Sequence, residues 1–380
     1  MGLFSSQQSY LGIDFDSNSI KLVELKNEAG RPRLVTYGYF DREVSPEANN
    51  RTDDYSEDTS KLIKQVCAKA RTTTTKVITA LPAYSVFSSI LNLPALARKD
   101  LANAVKWEAK KVIPLPIDEM ILDWKILENF NGDNLKKPKS QNVDNNDLED
   151  KDLEPKKFLK ISSKAKKENV KVLLTAAPKD LVKRYMNIFH SSGLNLLSLD
   201  TESFALIRSL VGNDRSALMI VDIGSIVTNI SVVVNNIPIL NRSIDVGGVT
   251  ITKAIANSLN VNLARAEQFK YDIGMSSDRV GQGSVPKTIE TTLSPIIDEL
   301  RYSLELYRNQ GAKDIEKIIL TGGSSLLLNL PQYLSNLLGL RVFLGDPWAR
   351  IIYPEELKPV LDEIGPRFAV AAGLAMRDIE

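Results

Sequence analysis

The 380-residue chain is 43% hydrophobic and balances 48 basic against 47 acidic side chains, a net charge of +1. It can bury large cores in two or more subdomains, and it has no field to draw it non-specifically onto nucleic acid or an anionic bilayer. A single cysteine, Cys67, excludes an internal disulfide, a single histidine, His190, argues against a histidine metal cluster or triad, and no apolar run approaches the roughly 18 residues that span a bilayer, so a cytosolic protein without direct membrane insertion is expected.

LGIDFDSNSIKLVEL, from Leu11 to Leu25, predicts strands near 10–15 and 19–26 joined by a short polar turn. A turn containing Gly30 leads to a third strand near 33–40. After a polar stretch comes an amphipathic helix near 59–71, with Leu62, Ile63 and Val66 on one side, and then a strand, KVITALP. Residues 84–128 read as strand (SVFSSILNL), helix (KDLANAVKWEAKKV) and strand (EMILDWKIL). From 129 to 169 Asn, Asp and Lys dominate, with almost nothing to bury, so a solvated, disordered insertion is expected. The chain resumes with the strand VKVLLTAAP and the helix KDLVKRYMNIFHSSG, stopped by Gly193. The segment from 84 to about 190 therefore reads as a small α+β subdomain inserted into the first half.

LMIVDIGSIVTNISVVV, from Leu218 to Val234, repeats the opening order: strands near 217–223 and 228–234, an Asn235-Asn236 turn, and a strand at 237–244. A helix, TITKAIANSLN, follows Gly247-Gly248. Strand, loop, strand, strand, helix thus occurs twice, which points to an internal duplication. Helices are expected over VNLARAEQFKYDIG at 261–274 and TLSPIIDELRYSLELYRNQG at 292–311. KIILTGGSS then turns at Gly322-Gly323-Ser324 into a helix SLLLNLPQYLSNLL, and GPRFAVAAGLAMRDIE closes the chain as a small-residue helix. His190 is expected to face solvent, Cys67 to pack under its helix, and Trp107, Trp124 and Trp348 to act as packing anchors.

A polyphosphate needs inward-pointing N–H groups and acidic groups that hold a hydrated Mg²⁺. Asp14 and Asp222 end strands at the mouths of their loops, where such carboxylates belong. Ser17 and Asn18 in one loop, with Gly224, Ser225 and Thr228 in the other, are candidate donors, and Lys21 is a candidate phosphate cation. Gly322, Gly323 and Ser324 permit the backbone to lie against a flat ring or sugar. Gly247 and Gly248 open a helix whose N-terminus favours anionic oxygens. Glu267 and Lys270, spaced i, i+3, can face one ligand, although a surface ion pair is the plainer reading. Each loop alone reads as an ordinary hairpin turn. The duplicated pair together with the third element makes a nucleotide site the leading reading.

Those three segments resemble the phosphate-1, phosphate-2 and adenosine motifs of the actin, sugar-kinase and heat-shock ATPase superfamily. Within it the inserted segment resembles FtsA and, more closely, the PilM family of type IV pilus assembly proteins. AVKWEAKKVIPLPIDEMILDW at 104–124 and GPRFAVAAGLAMR at 365–377 carry the resemblance, which covers nearly the whole chain.

The likeness implies an α/β, two-lobed actin-like (FtsA-like) ATPase fold with duplicated βββαβα cores and an inserted 1C subdomain. Subdomain 1A would occupy 8–83 and return at 191–213, and 1C would occupy 84–190. Subdomain 2A would take 214–250 and 312–364, 2B would take 251–311, and 365–380 would return to 1A. ATP or ADP with Mg²⁺ would lie between the lobes. The implied partners are the N-terminal cytoplasmic peptide of the inner-membrane protein PilN, in a groove between 1A and 1C, and other pilus assembly proteins including the motor. The protein would then sit in the cytoplasm, at the inner face of the membrane through partners, with self-association a further option. Asp16 stands where the family usually has glycine; its carboxylate either repels phosphate or holds the turn. A superfamily kinase would show an acidic base aimed at a substrate hydroxyl, and no clear candidate is visible. A filament-forming division protein would be expected to end in an amphipathic membrane helix, and the sequence ends at Glu380 without one.

Overall fold

A computed structural model describes residues 8–16, 18–42, 57–127, 169–276, 284–309 and 314–379. The expected disordered tract, apart from Asn169, and Ser17 lie outside the described residues.

The first half builds β1 (Ser9–Phe15), β2 (Ser19–Glu28), β3 (Arg31–Asp41), α1 (Glu57–Ala70) and β4 (Lys76–Leu81). The smaller unit follows with β5 (Phe87–Pro94), α2 (Arg98–Val112), β6 (Met120–Ile126) and β7 (Asn169–Pro178). The chain returns through α3 (Lys179–Ser192), β8 (Asn195–Thr201) and α4 (Glu202–Leu206). A widened turn over Ile207–Val211 then leads into the second half.

That half contains β9 (Leu218–Ile223), β10 (Thr228–Val234), β11 (Ile237–Ile244), α5 (Gly248–Leu259), α6 (Leu263–Ile273) and α7 (Ser284–Arg308). It ends with β12 (Lys317–Thr321), α8 (Leu330–Leu338), β13 (Arg341–Leu344), α9 (Lys358–Ile364) and α10 (Ala369–Met376).

The duplication is visible in the sheets. One has the order β3-β2-β1-β4-β8 and the other β11-β10-β9-β12-β13. In each, the first three strands pair antiparallel and the last two run parallel to the first. Both hairpins share one register, with Asp14 opposite Lys21 and Asp222 opposite Asn229. This α/β architecture is the actin-like one that the resemblance implied.

Two compact units emerge, residues 88–176 and the remainder. The smaller holds the sheet β5-β7-β6 and α2, whose Leu101, Val105 and Ala109 are buried. Helix α3, which the sequence reading placed in the inserted segment, belongs to the larger unit. Its Leu181, Tyr185, Ile188 and Phe189 share a core with Leu11, Ile13, Leu22, Ile63 and Val66 of the first sheet and α1. Amphipathic period predicts that α3 buries one face, but not against which neighbour.

In the larger unit one core joins Val23 and Leu25 of the first sheet, Leu218 and Ile220 of the second, and nearly all of α10. Helix α10 fits because its contacts are glycines. A methyl group at Gly12 would strike the Ala371 carbonyl, and one at Gly373 would strike the Ala205 carbonyl.

Three further expectations change. Helix α7 starts at Ser284, eight residues before the expected start, and runs through Pro295. Val285, Ile289, Leu293, Ile296, Ile297 and Leu300 keep one buried face on both sides of the proline, and that burial outweighs the lost hydrogen bond. The Gly-Gly turn leads into a single tight turn, Gly323–Leu326, with α8 beginning only at Leu330, because Pro331 suits a first turn and not a helix interior. Trp348 is a buried anchor, but Trp107 is 71% exposed on α2. His190 is exposed and Cys67 buried, its thiol raised to about 11 by burial. Among the described residues no helix is long and apolar enough to cross a membrane.

Candidate functional site

The ends of β1 and β9 bring Asp14 and Asp222 into one electrostatic cluster with Asp16, Glu202 and Lys21. Lys21 is 9% exposed; its Nζ donates to Ser19 Oγ at 2.7 Å and to Asp14 Oδ2 at 3.4 Å, and lies 3.8 Å from Asp16 Oδ2. Burial alone would depress this ammonium, but Asp14 and Asp16 outweigh it and raise its pKa. The carboxylates outnumber the cation, and the imbalance is written in their titration. Burial raises Asp14 against the pull of Lys21. Burial and then the Asp14 charge push Asp222 up to about 7. Glu202 is raised well above the usual carboxylate range by burial and by both aspartates.

Asp16 settles into the second of its two expected roles. Its Oδ1 accepts the N–H groups of Asn18 at 2.7 Å and Ser19 at 2.8 Å, and its Oδ2 accepts Ser19 Oγ at 3.0 Å. The carboxylate therefore pins the first loop as an Asx turn. The Asn18 side-chain nitrogen is buried without a partner among the described residues, which leaves one donor in this loop for an incoming oxygen.

In the second loop several expected donors are already engaged. The Gly224 N–H closes the turn on the Val227 carbonyl, and Thr228 Oγ donates to the Val246 carbonyl at 2.7 Å. The N–H groups of Gly248 and Val249, at the start of α5, donate to the carbonyls of Gly224 and Ser225. The helix start thus clips onto the loop, with those two amides spent on protein. Gly247 permits this contact, since a methyl group there would lie 2.7 Å from Ser225.

Gly322 sits beside Asp222 at φ +83°, where a side chain would run into the carboxylate. Gly323 faces more open space, with Arg367 and Tyr271 at 3.9 Å from a Cβ placed there. Glu267 and Lys270 are not the surface pair of the plainer reading. Lys270 is 2% exposed, with Nζ 2.7 Å from Glu267 Oε1, 3.0 Å from Thr252 Oγ and 3.4 Å from the Gly248 carbonyl. Burial lowers its pKa against the pull of Glu267. Ser324 is buried next to the same glycine, 2.5 Å from where a Cβ on Gly248 would stand.

Sequence reading missed Glu202 and Arg367. Glu202 Oε2 accepts the Ala83 N–H at 2.8 Å from the first half and Asn229 Nδ2 at 3.1 Å from the second. Arg367 Nη2 donates to both Asp41 carboxylate oxygens at 2.6 Å, and the guanidinium lies 5.2 Å over the Tyr39 ring. Neither stands in a glycine-rich loop; the only hint was Arg367's place in GPRFAVAAGLAMR. Among the described residues no three His, Cys, Asp or Glu side chains form a ready metal cage.

The PilM–PilN type IV pilus biogenesis complex contains a chain similar to this one, at 27% identity over 98% of each chain with a TM-score of 0.75. EutJ of Carboxydothermus hydrogenoformans (15% identity, 97% and 89% covered, TM-score 0.52) and MreB5 of Spiroplasma citri bound to ADP (12%, 96% and 94%, TM-score 0.51) share the fold. FtsA of Neisseria meningitidis serogroup B is 27% identical over 176 residues, and that match spans 41% of either chain. A family model described as type IV pilus assembly protein PilM matches residues 12–143 and 157–379. With all but residues 1–11, 144–156 and 380 accounted for, the chain belongs to the PilM family of type IV pilus assembly proteins.

Proposed function

We propose that the protein is a nucleotide-holding scaffold of type IV pilus assembly, gripping ATP or ADP with Mg²⁺ and binding the N-terminal cytoplasmic peptide of PilN. The observation that carries the nucleotide reading is the buried carboxylate excess at the ends of β1 and β9, where Lys21 is the cation beside Asp14 and Asp16. Such a cluster is relieved by a divalent cation, and a hydrated Mg²⁺ fits better than a directly ligated one because no three-ligand cage is present among the described residues. Asp14 and Asp222 would hold its water shell. Lys21 and Asn18 would meet phosphate oxygens from one side and the Ser225 loop from the other, and Gly322, Gly323 and Ser324 would take the nucleoside. Bound Mg²⁺ would supply charge neutralisation between the carboxylates and the phosphates.

The partner reading rests on the likeness to the PilM–PilN complex. It is supported by the smaller unit, which leaves Leu96, Trp107, Leu115, Ile121 and Ile126 exposed. Apolar groups of that size on so small a unit favour protein contact. The subdomain bounds implied by the family follow the same proposal, with 1C shortened by the loss of α3. Calorimetric titration of the chain with a PilN N-terminal peptide, with and without ATP and Mg²⁺, tests it. Micromolar binding is expected, and a peptide that neither binds nor raises the unfolding temperature removes the scaffold reading.

A further inference from the structure

A cavity of about 420 Å³ opens where the Ile207–Val211 turn meets the β10–β11 hairpin, at the far end of β10 from Asn229. Arg208, Gly212, Asn213, Asn236 and Arg350 line it, with Phe204 on its apolar side. Among the described residues no carboxylate lines it, so its walls carry two guanidinium groups and two amides.

These groups are set in place by protein contacts. Arg208 is anchored by the Gly373 carbonyl at 2.6 Å and by Asp200 at 3.0 Å, two contacts for a group with five N–H donors. Gly212 is the hub. It adopts φ +60°, its carbonyl accepts Asn236 Nδ2 at 2.6 Å, and the Arg350 side chain occupies the space where a Cβ would stand. A methyl group at Gly212 would stand 3.0 Å from Arg350 Cζ, so the glycine is the seat of that arginine. Fixing Asn236 through its nitrogen leaves its Oδ1 buried without a donor among the described residues.

A ligand that complements this set brings acidic oxygens to the arginines and a hydroxyl to Asn236. Paired guanidinium forks match carboxylate and phosphate oxygens, and a buried carbonyl acceptor without a donor is costly until one arrives. The volume suits a small molecule. We propose that this cavity binds a small oxyanion that also carries a hydroxyl, either a phosphate in its hydrogen form or a hydroxycarboxylate.

The assignment does not depend on the nucleotide reading, and its test separates the two sites. The full chain is titrated calorimetrically with inorganic phosphate and, separately, with malate, up to about 20 mM, the range in which a two-arginine site of modest affinity saturates. Arg350→Gln removes one fork. Asn213→Asp adds a carboxylate at an exposed position on the cavity wall, so it leaves the fold intact. Binding of either anion, weakened at least tenfold by both substitutions, is the expected result, and the anion that binds names the ligand class. Absence of binding by both anions overturns the proposal. So does binding that both variants leave unchanged, since the anion then sits elsewhere, for instance at Lys21.

Discussion

The two hairpins that open the two sheets are copies in register and differ in how their aspartates are paired. Each places an aspartate at the end of its first strand and sets a residue of the second strand across from it. In the first hairpin that residue is Lys21, which reaches Asp14 and holds a buried ion pair. In the second it is Asn229, whose amide is held between Ser243 Oγ and Glu202 and gives Asp222 no charge to pair with. Duplication preserved the backbone device and divided the labour: one aspartate faces a lysine, and the other faces a neutral amide.

If that division is right, the largest loss follows from the unpaired side. Asp222→Ala is expected to weaken ATP binding in Mg²⁺ by roughly 100-fold, the upper range for losing a carboxylate that orients a metal's shell. The loss should shrink when the titration is repeated in EDTA. An unchanged affinity would place the phosphates elsewhere.

Lys21→Met probes the paired side, and about 30-fold is expected, with the Mg²⁺ dependence retained. It also leaves Asp14 buried without a partner, so stability at pH 8 should fall by about 2 kcal/mol, below the usual cost of breaking a buried pair because the cluster can take up protons. Equal losses and equal Mg²⁺ dependence in the two variants would erase the distinction between the hairpins.

Much of this was legible in the sequence because strand alternation and small polar turns are local. Asp14, Lys21 and Asp222 were named from such patterns, and the repeated order of elements followed. What stayed hidden was non-local. Glu202 becomes a site residue only when the segment joining the halves brings it against Ala83 and Asn229. The burial of Lys270 depends on α5 and α6 packing around Thr252 and Gly248. Thr228 looked like a ligand donor because its type was right; its hydroxyl went to the Val246 carbonyl instead. Sequence gives the chemistry available in a loop, and tertiary packing decides which of it is already engaged.

The comparison extends to pH. Asp222 titrates near 7 in the fold, above the ordinary value of about 3.9 in an unfolded chain. The native state therefore binds more protons between those values, and stability falls as pH rises through that window. Urea unfolding without nucleotide should lose about 1–2 kcal/mol between pH 5.5 and 8. Asp222→Asn should flatten the slope, and Lys21→Met should steepen it. A wild-type profile that rises over this window would contradict the carboxylate excess.

The smallest expected effect belongs to Asp16 in the first loop. Asp16 supplies three acceptor contacts that fix the first loop, and its charge also raises Asp14, Asp222 and Glu202. Asp16→Gly should cost about 1 kcal/mol of stability from the lost turn contacts and the freer backbone. ATP affinity should nevertheless hold or rise up to about threefold, since a negative charge leaves the phosphate side and at this exposure its interaction is largely screened. Asp16→Asn separates the two contributions, because it retains the Oδ1 acceptor and removes the charge: stability should stay near wild type while affinity follows the glycine variant. A fivefold loss of ATP affinity in the asparagine variant would mean that Asp16 serves the bound cation and not the turn, and the first hairpin would then depend on an external charge as much as the second.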